Sequence, residues 1–90
     1  MEITHVKVTL VDDPSLKAIA TLTLDGCFVI KGIKLVQGDR GVFVAMPSQK
    51  LPDGSYRDVA YPSTPEMARA VRSLVLEEFE RRLRARQAVR

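Results

Sequence analysis

The chain is poor in the residues that carry most enzyme and metal chemistry: it has one cysteine, one histidine and no tryptophan. With Cys27 alone there can be no intrachain disulfide, and Cys27 plus His5 cannot supply the four ligands of a structural zinc site. His5 is also the only imidazole available to activate Cys27 as a nucleophile, and no spacing in the sequence brings the two together. Packing is therefore the default role expected of Cys27. His5 is expected half-exposed in a first strand. Paired catalytic carboxylates with a partner base, a glycine-rich phosphate loop opening a helix, and a cluster of metal ligands are likewise missing. The expectation is a protein that is not an enzyme, with no cofactor, no metal and no small-molecule substrate.

No apolar run approaches the roughly 20 residues that span a bilayer. The stretch around Glu2 and His5 lacks the basic and apolar regions of a signal peptide, so a cytoplasmic location with no membrane partner is expected. A hydrophobic fraction of 46% and a charged fraction of 28% fit a globular chain. Ninety residues make a single domain, 1–90, whose small core leaves much surface uncovered. Association with a second copy is the simplest cover.

What is present in excess is arginine, and only at one end. Residues 1–62 hold seven basic and seven acidic side chains, whereas the segment from Ser63 onward holds seven arginines against four glutamates. The whole surplus of positive charge lies there. Arg81, Arg82, Arg84, Arg86 and Arg90 follow one another with no acid between them. Such a cluster is the footprint of a phosphate-binding surface, because guanidinium offers a planar fork of donors that stays charged. It equally suits the negative end of a helix dipole.

Periodicity predicts four or five strands and one helix, an α+β chain. Ile3 to Val11 alternates, with Val6, Val8 and Leu10 on one face and His5, Lys7 and Thr9 on the other. Leu16 to Leu24 sets Ala18, Ala20, Leu22 and Leu24 against Ile19, Thr21 and Thr23. Asp25-Gly26 is a hairpin signal into Phe28 to Val36. Gln37 to Gly41 then turns the chain into an apolar run, Val42 to Met46, which reads as a buried or nearly buried strand. Pro52-Asp53-Gly54 marks a further turn, with Tyr56 to Tyr61 returning. An antiparallel meander is the economical topology.

The helix that follows has two candidate caps, Ser63 and Thr64, with Pro65 suited to its first position and Glu66 to its positive end. Met67, Val71, Leu74 and Val75 share a face expected to pack on the sheet. Further on, the apolar positions shift to Leu76, Phe79 and Leu83, which are expected to turn from the sheet toward a second subunit. A broad apolar face on a single sheet is the alternative. An exposed sheet edge is a second route to a dimer.

The order and spacing of these segments resemble a known family. FVAMPS at Phe43 to Ser48, Pro52-Asp53-Gly54, the Arg57-Asp58 pair and Pro62 closely resemble the signature of the SpoVG family of septation and sporulation regulators. Thr23-Leu24-Asp25, Phe28-Val29-Ile30 and the Gly38 to Gly41 turn match the same pattern upstream. The chain departs from it at Lys31-Gly32, where His-Asp is usual, at Tyr61, where a histidine precedes the proline, and at Gln49-Lys50, in place of a more basic pair.

The resemblance implies a small α+β homodimer that binds duplex DNA site-selectively, in some cases RNA, and affects transcription and septation. The residues that would carry contacts are Lys50 and Arg57 beside the Pro52–Gly54 turn, with Arg69, Arg72, Arg81, Arg82, Arg84 and Arg86 on the helix. Lys50 alone keeps the charge of the family's basic pair, and Arg57 matches the family's arginine; an ion pair with Asp53 or Asp58 is the competing role for Arg57. A protein-binding module without nucleic acid and an RNA-binding regulator are the alternatives. Tyr56 and Tyr61 are too few for a stacking platform.

Overall fold

The computed structural model describes residues 1–88. Six strands precede one helix: β1 (Ile3–Leu10), β2 (Leu16–Leu24), β3 (Phe28–Gly38), β4 (Gly41–Ala45), β5 (Ser48–Lys50), β6 (Tyr56–Asp58) and α1 (Pro65–Ala88). The first four pair in sequence order as one antiparallel sheet, and β5 and β6 form a separate two-stranded hairpin. The fold is α+β, with the expected meander ending at β4.

Each turn is held by the residues that announced it. After β1, Asp13 Oδ2 accepts hydrogen bonds from the backbone N–H groups of Ser15 and Leu16 at 2.9 and 2.8 Å. Between β2 and β3, Asp25 and Gly26 take φ of 51° and 66°, the left-handed pair that a tight hairpin needs. Cys27 sits in this turn and is exposed, so it is not the packing residue expected; a turn of three residues leaves its side chain no core to enter. Within β3, Lys31 and Gly32 together oppose Thr21, and Gly32 has a φ of 83°. This is a bulge, and it sharpens the twist of the sheet.

Period-two alternation divides the sheet into a covered and an uncovered face. Val8, Ala18, Ala20, Leu22, Ile33 and Leu35 are buried together with Val71, Val75 and Phe79 of α1. Ala18 and Ala20 are wholly buried beneath the helix, whose backbone runs nearest β1. The helix begins where Thr64 Oγ1 accepts the Met67 N–H at 3.2 Å, so Thr64 rather than Ser63 is the cap. Its first turns lie beside Leu22, Leu24, Ile30 and Met46, and its later ones beside Leu10 at the other end of β1.

Two expectations about packing are corrected. Phe79 does not turn away from the sheet: it is 7% exposed, in the core, whereas Leu74 is 37% exposed. Val71, Val75 and Phe79 are four apart, and four steps of about 100° overshoot a turn by about 40°. A twisted sheet follows that oblique ridge, so the drift of the apolar positions tracks the sheet instead of leaving it. Leu76 and Leu83 are partly buried and pack on the same core. The second correction concerns β4, which is an edge strand. Phe43 on it is 50% exposed, because its register opposite Val36, next to the core-facing Leu35–Val44 pair, turns it to the face that the helix does not cover.

Phe79→Ala is expected to cost about 3–5 kcal/mol of unfolding free energy in urea denaturation, while Leu74→Ala stays below about 1 kcal/mol. Equal costs would place the helix in a different rotation.

Candidate nucleic-acid interface

The hairpin that carries Lys50 and Arg57 is organised by Asp53. Its Oδ1 accepts the Ser55 hydroxyl at 2.6 Å and the Ser55 N–H at 2.9 Å, and the Leu51 C=O accepts the Gly54 N–H at 2.9 Å across the turn. The two bonds from Ser55, the hydroxyl first, hold the Asp53 carboxyl below the usual carboxylate range. Asp53 is thus committed to the turn and forms no ion pair with Arg57. The Val59 N–H donates to Pro47 C=O at 2.8 Å and closes the base of the hairpin.

Register separates the two cations. Gln49 stands opposite Arg57 and Lys50 opposite Tyr56, so Lys50 and Arg57 project from opposite faces of the ribbon. Both are exposed. A ligand on one face of the hairpin meets only one of them.

The helix arginines are all exposed, yet they do not form one stripe. Arg72 lines a small cavity with Val44, Met46 and Pro62 on the β4 side. Arg81 lies on the opposite side, by Ile3 to Val6, and is ion-paired with Glu78. Arg82 and Arg86, one turn apart, share a face and line a cavity of about 320 Å³ with Leu10 and Ala85. Arg84 points away from that face and Arg69 sits near the start of the helix, by helical spacing at about 100° per residue. Among the described residues Arg81 is the only one of these cations in an ion pair. Arg90 lies outside the described residues.

The structure therefore brings together Arg82 and Arg86, and leaves Lys50, Arg57, Arg69 and Arg72 apart from them toward the other end of the helix. Among the described residues no group of three His, Cys, Asp or Glu could hold a metal ion, and no helix is long and apolar enough to cross a membrane. Sequence reasoning missed an apolar groove of about 280 Å³ between the start of the helix and the segment after β6, lined by Met1, Ile30, Met46, Val59, Tyr61 and Met67. Val59 and Tyr61 are 64% and 65% exposed at its rim. Their alternation within the returning segment was the available signal.

Comparison with known proteins follows the sheet and helix closely. A profile of the SpoVG family matches residues 1–81. The chain belongs to the SpoVG family. Its match takes in all four strands of the main sheet, the hairpin and most of the helix. A SpoVG-family relative in Bdellovibrio bacteriovorus is 44% identical over 85 residues, covering 94% of this chain and 79% of its own. One in Myxococcus xanthus is 43% identical over 88 residues, with 98% and 89% covered. A third, from Anaeromyxobacter sp. strain Fw109-5, is 41% identical over 90 residues, with 100% and 93% covered. All three carry the name "Putative septation protein SpoVG".

The lowered Asp53 acidity sets a pH dependence. A depressed folded-state value means that the turn's stabilisation is complete above the ordinary aspartate value of about 3.9 and disappears as pH falls through the lower folded value. In NMR the Ser55 amide shift should titrate with a midpoint below that of a free aspartate, and Asp53→Asn should abolish the titration. A midpoint at the ordinary value would contradict the hydrogen-bonded turn.

Proposed function

We propose that this SpoVG-family chain is a nucleic-acid-binding regulator with a role in septation, acting as a homodimer on chosen sites in duplex DNA. The septation role rests on the name its relatives carry. The DNA contact rests on one observation: Arg82 and Arg86 stand on one helix face, exposed and outside any ion pair among the described residues, at the end where α1 passes Leu10. Two guanidinium groups one turn apart can each grip a phosphate, or a guanine edge if the helix enters the major groove. Arg84 adds charge on the reverse side. Arg57 and Lys50 on the hairpin, with Arg69 and Arg72, supply contacts remote from that pair, and a second copy is what gathers the remote sets along one duplex.

The surface area supports a dimer. The chain exposes 6636 Å², against roughly 5200 Å² expected of a 10.0 kDa monomer. The excess is of the order that a stable protein interface removes. The groove rimmed by Val59 and Tyr61 and the open edges of β1 and β4 are the apolar and backbone surfaces such a contact would use.

Titrating duplex DNA binding against salt tests the proposal. The observed affinity should fall linearly in a log–log plot, and the paired change Arg82→Gln with Arg86→Gln should flatten the slope by about 0.9 for each phosphate no longer neutralised. The same sample in light scattering should give twice the chain mass. Absence of duplex binding at low salt, or an unchanged slope in the paired variant, would overturn the helix contact; a single-chain mass would overturn the dimer.

A further inference from the structure

The helix covers one face of the four-stranded sheet, and the other face is bare. Register places His5, Lys7 and Thr9 of β1 beside Thr23, Thr21 and Ile19 of β2 on that face, with Val29, Lys34 and Val36 of β3 and Phe43 and Ala45 of β4 completing it. Lys31, in the bulge opposite Thr21, is exposed on it as well. The acids of this half of the chain, Glu2, Asp12, Asp13, Asp25 and Asp39, all fall before β1 or in the turns. The uncovered face thus carries Lys7, Lys31 and Lys34 with no carboxylate among its strand positions.

Phe43 is held on this face in an unusual way. A Cβ on Gly38 would lie 3.0 Å from its Cε1 and 3.2 Å from its Cδ1, so the ring rests on bare glycine backbone across the β3–β4 ladder. A side chain there would press on the ring. The ring is nevertheless 50% exposed: it is fixed from beneath and open above. Lys34 is a diagonal neighbour of Phe43 across the ladder, through the Lys34–Ala45 and Val36–Phe43 pairs.

A second copy of the chain does not suit this face, because twofold pairing would set lysines against lysines in a partly desolvated contact. An anionic occupant with flat apolar rings does. We propose that the uncovered sheet face binds single-stranded nucleic acid, with a base stacked on Phe43 and backbone phosphates on Lys7, Lys31 and Lys34. Threonine hydroxyls at positions 9, 21 and 23 are placed to donate to phosphate or sugar oxygens. Stacking on an aromatic ring tolerates any base, and lysine on phosphate carries no sequence information, so this site binds strands with little sequence preference. It is separate from the arginine pair on α1 and does not depend on duplex binding there.

Fluorescence anisotropy with labelled oligo(dT) and oligo(rU) of 12 nucleotides tests it on the full chain. Phe43→Leu, which keeps an apolar side chain over Gly38, should weaken binding by about tenfold, and Phe43→Ala by at least as much. Lys7→Gln with Lys34→Gln should reduce the salt slope by about 0.7 for each phosphate that loses its lysine. Thermal melting confirms that the variants fold. Arg82→Gln with Arg86→Gln should leave the effect of Phe43→Leu intact even if duplex binding is abolished, which separates this site from the helix site. The proposal is overturned if the unaltered chain binds neither oligonucleotide at low salt, or if folded Phe43→Leu binds both within twofold of it. A fall in mass for Phe43→Leu with unchanged strand affinity would also overturn it, and would assign the face to a second copy.

Discussion

The rest of the structure depends on one constraint: a single helix must bury one face of a four-stranded sheet. Val71, Val75 and Phe79 reach Val8, Ala18, Ala20, Leu22, Ile33 and Leu35 along one oblique ridge, and that contact is the core. The helix backbone runs nearest β1, and the bulge at Lys31-Gly32 adds twist to the sheet that the ridge follows. Because there is one helix and two faces, the second face is left to solvent. Because Phe43 on β4 belongs to that second face, it is left half-exposed. The chain's uncovered surfaces follow from the geometry of its core.

Charge is distributed in a way that matches this division. Three carboxylates that precede the helix are committed to turns: Asp13 and Asp53 accept backbone and serine hydrogen bonds that hold their carboxyls below the usual range, and Asp25 accepts the Glu2 N–H at 2.8 Å. With the acids fixed at the corners, the uncovered sheet face keeps its lysines without neutralising partners. On the helix, Glu78 takes Arg81 out of play, while Arg82 and Arg86 beyond it have no ion-pair partner among the described residues. An exposed ion pair of this kind adds little stability, roughly 0–1 kcal/mol. Its larger effect is to decide which arginines are available.

Much of this was legible in the sequence. Alternation in Ile3 to Leu10 and Leu16 to Leu24 identifies the inward faces correctly, Asp25-Gly26 marks its hairpin, and Thr64-Pro65 opens the helix. What was not legible comes from position in three dimensions. Val42 to Ala45 is apolar enough for a central strand, and nothing in its composition says that it is the edge farthest from the helix. Phe79 reads as leaving the core on a straight helical wheel; only sheet twist returns it. Arg81 to Arg86 form a run in sequence, but 100° steps scatter a run around the axis, so proximity along the chain did not become a common face. The lysines at 7, 31 and 34 lie on two strands, β1 and β3, that are not neighbours in the sheet, and acquire a shared surface only through strand register.

The central claim is that the two sides of the sheet have separate roles, a core under the helix and a binding surface opposite it. Backbone amide shifts in two-dimensional NMR, recorded as a single-stranded oligonucleotide is added, test it most directly. Shifts should concentrate at Lys7, Thr21, Lys34 and Phe43, with Val71, Val75 and Phe79 unchanged. Shifts confined to the helix arginines, or none on the sheet at saturating strand, would contradict it.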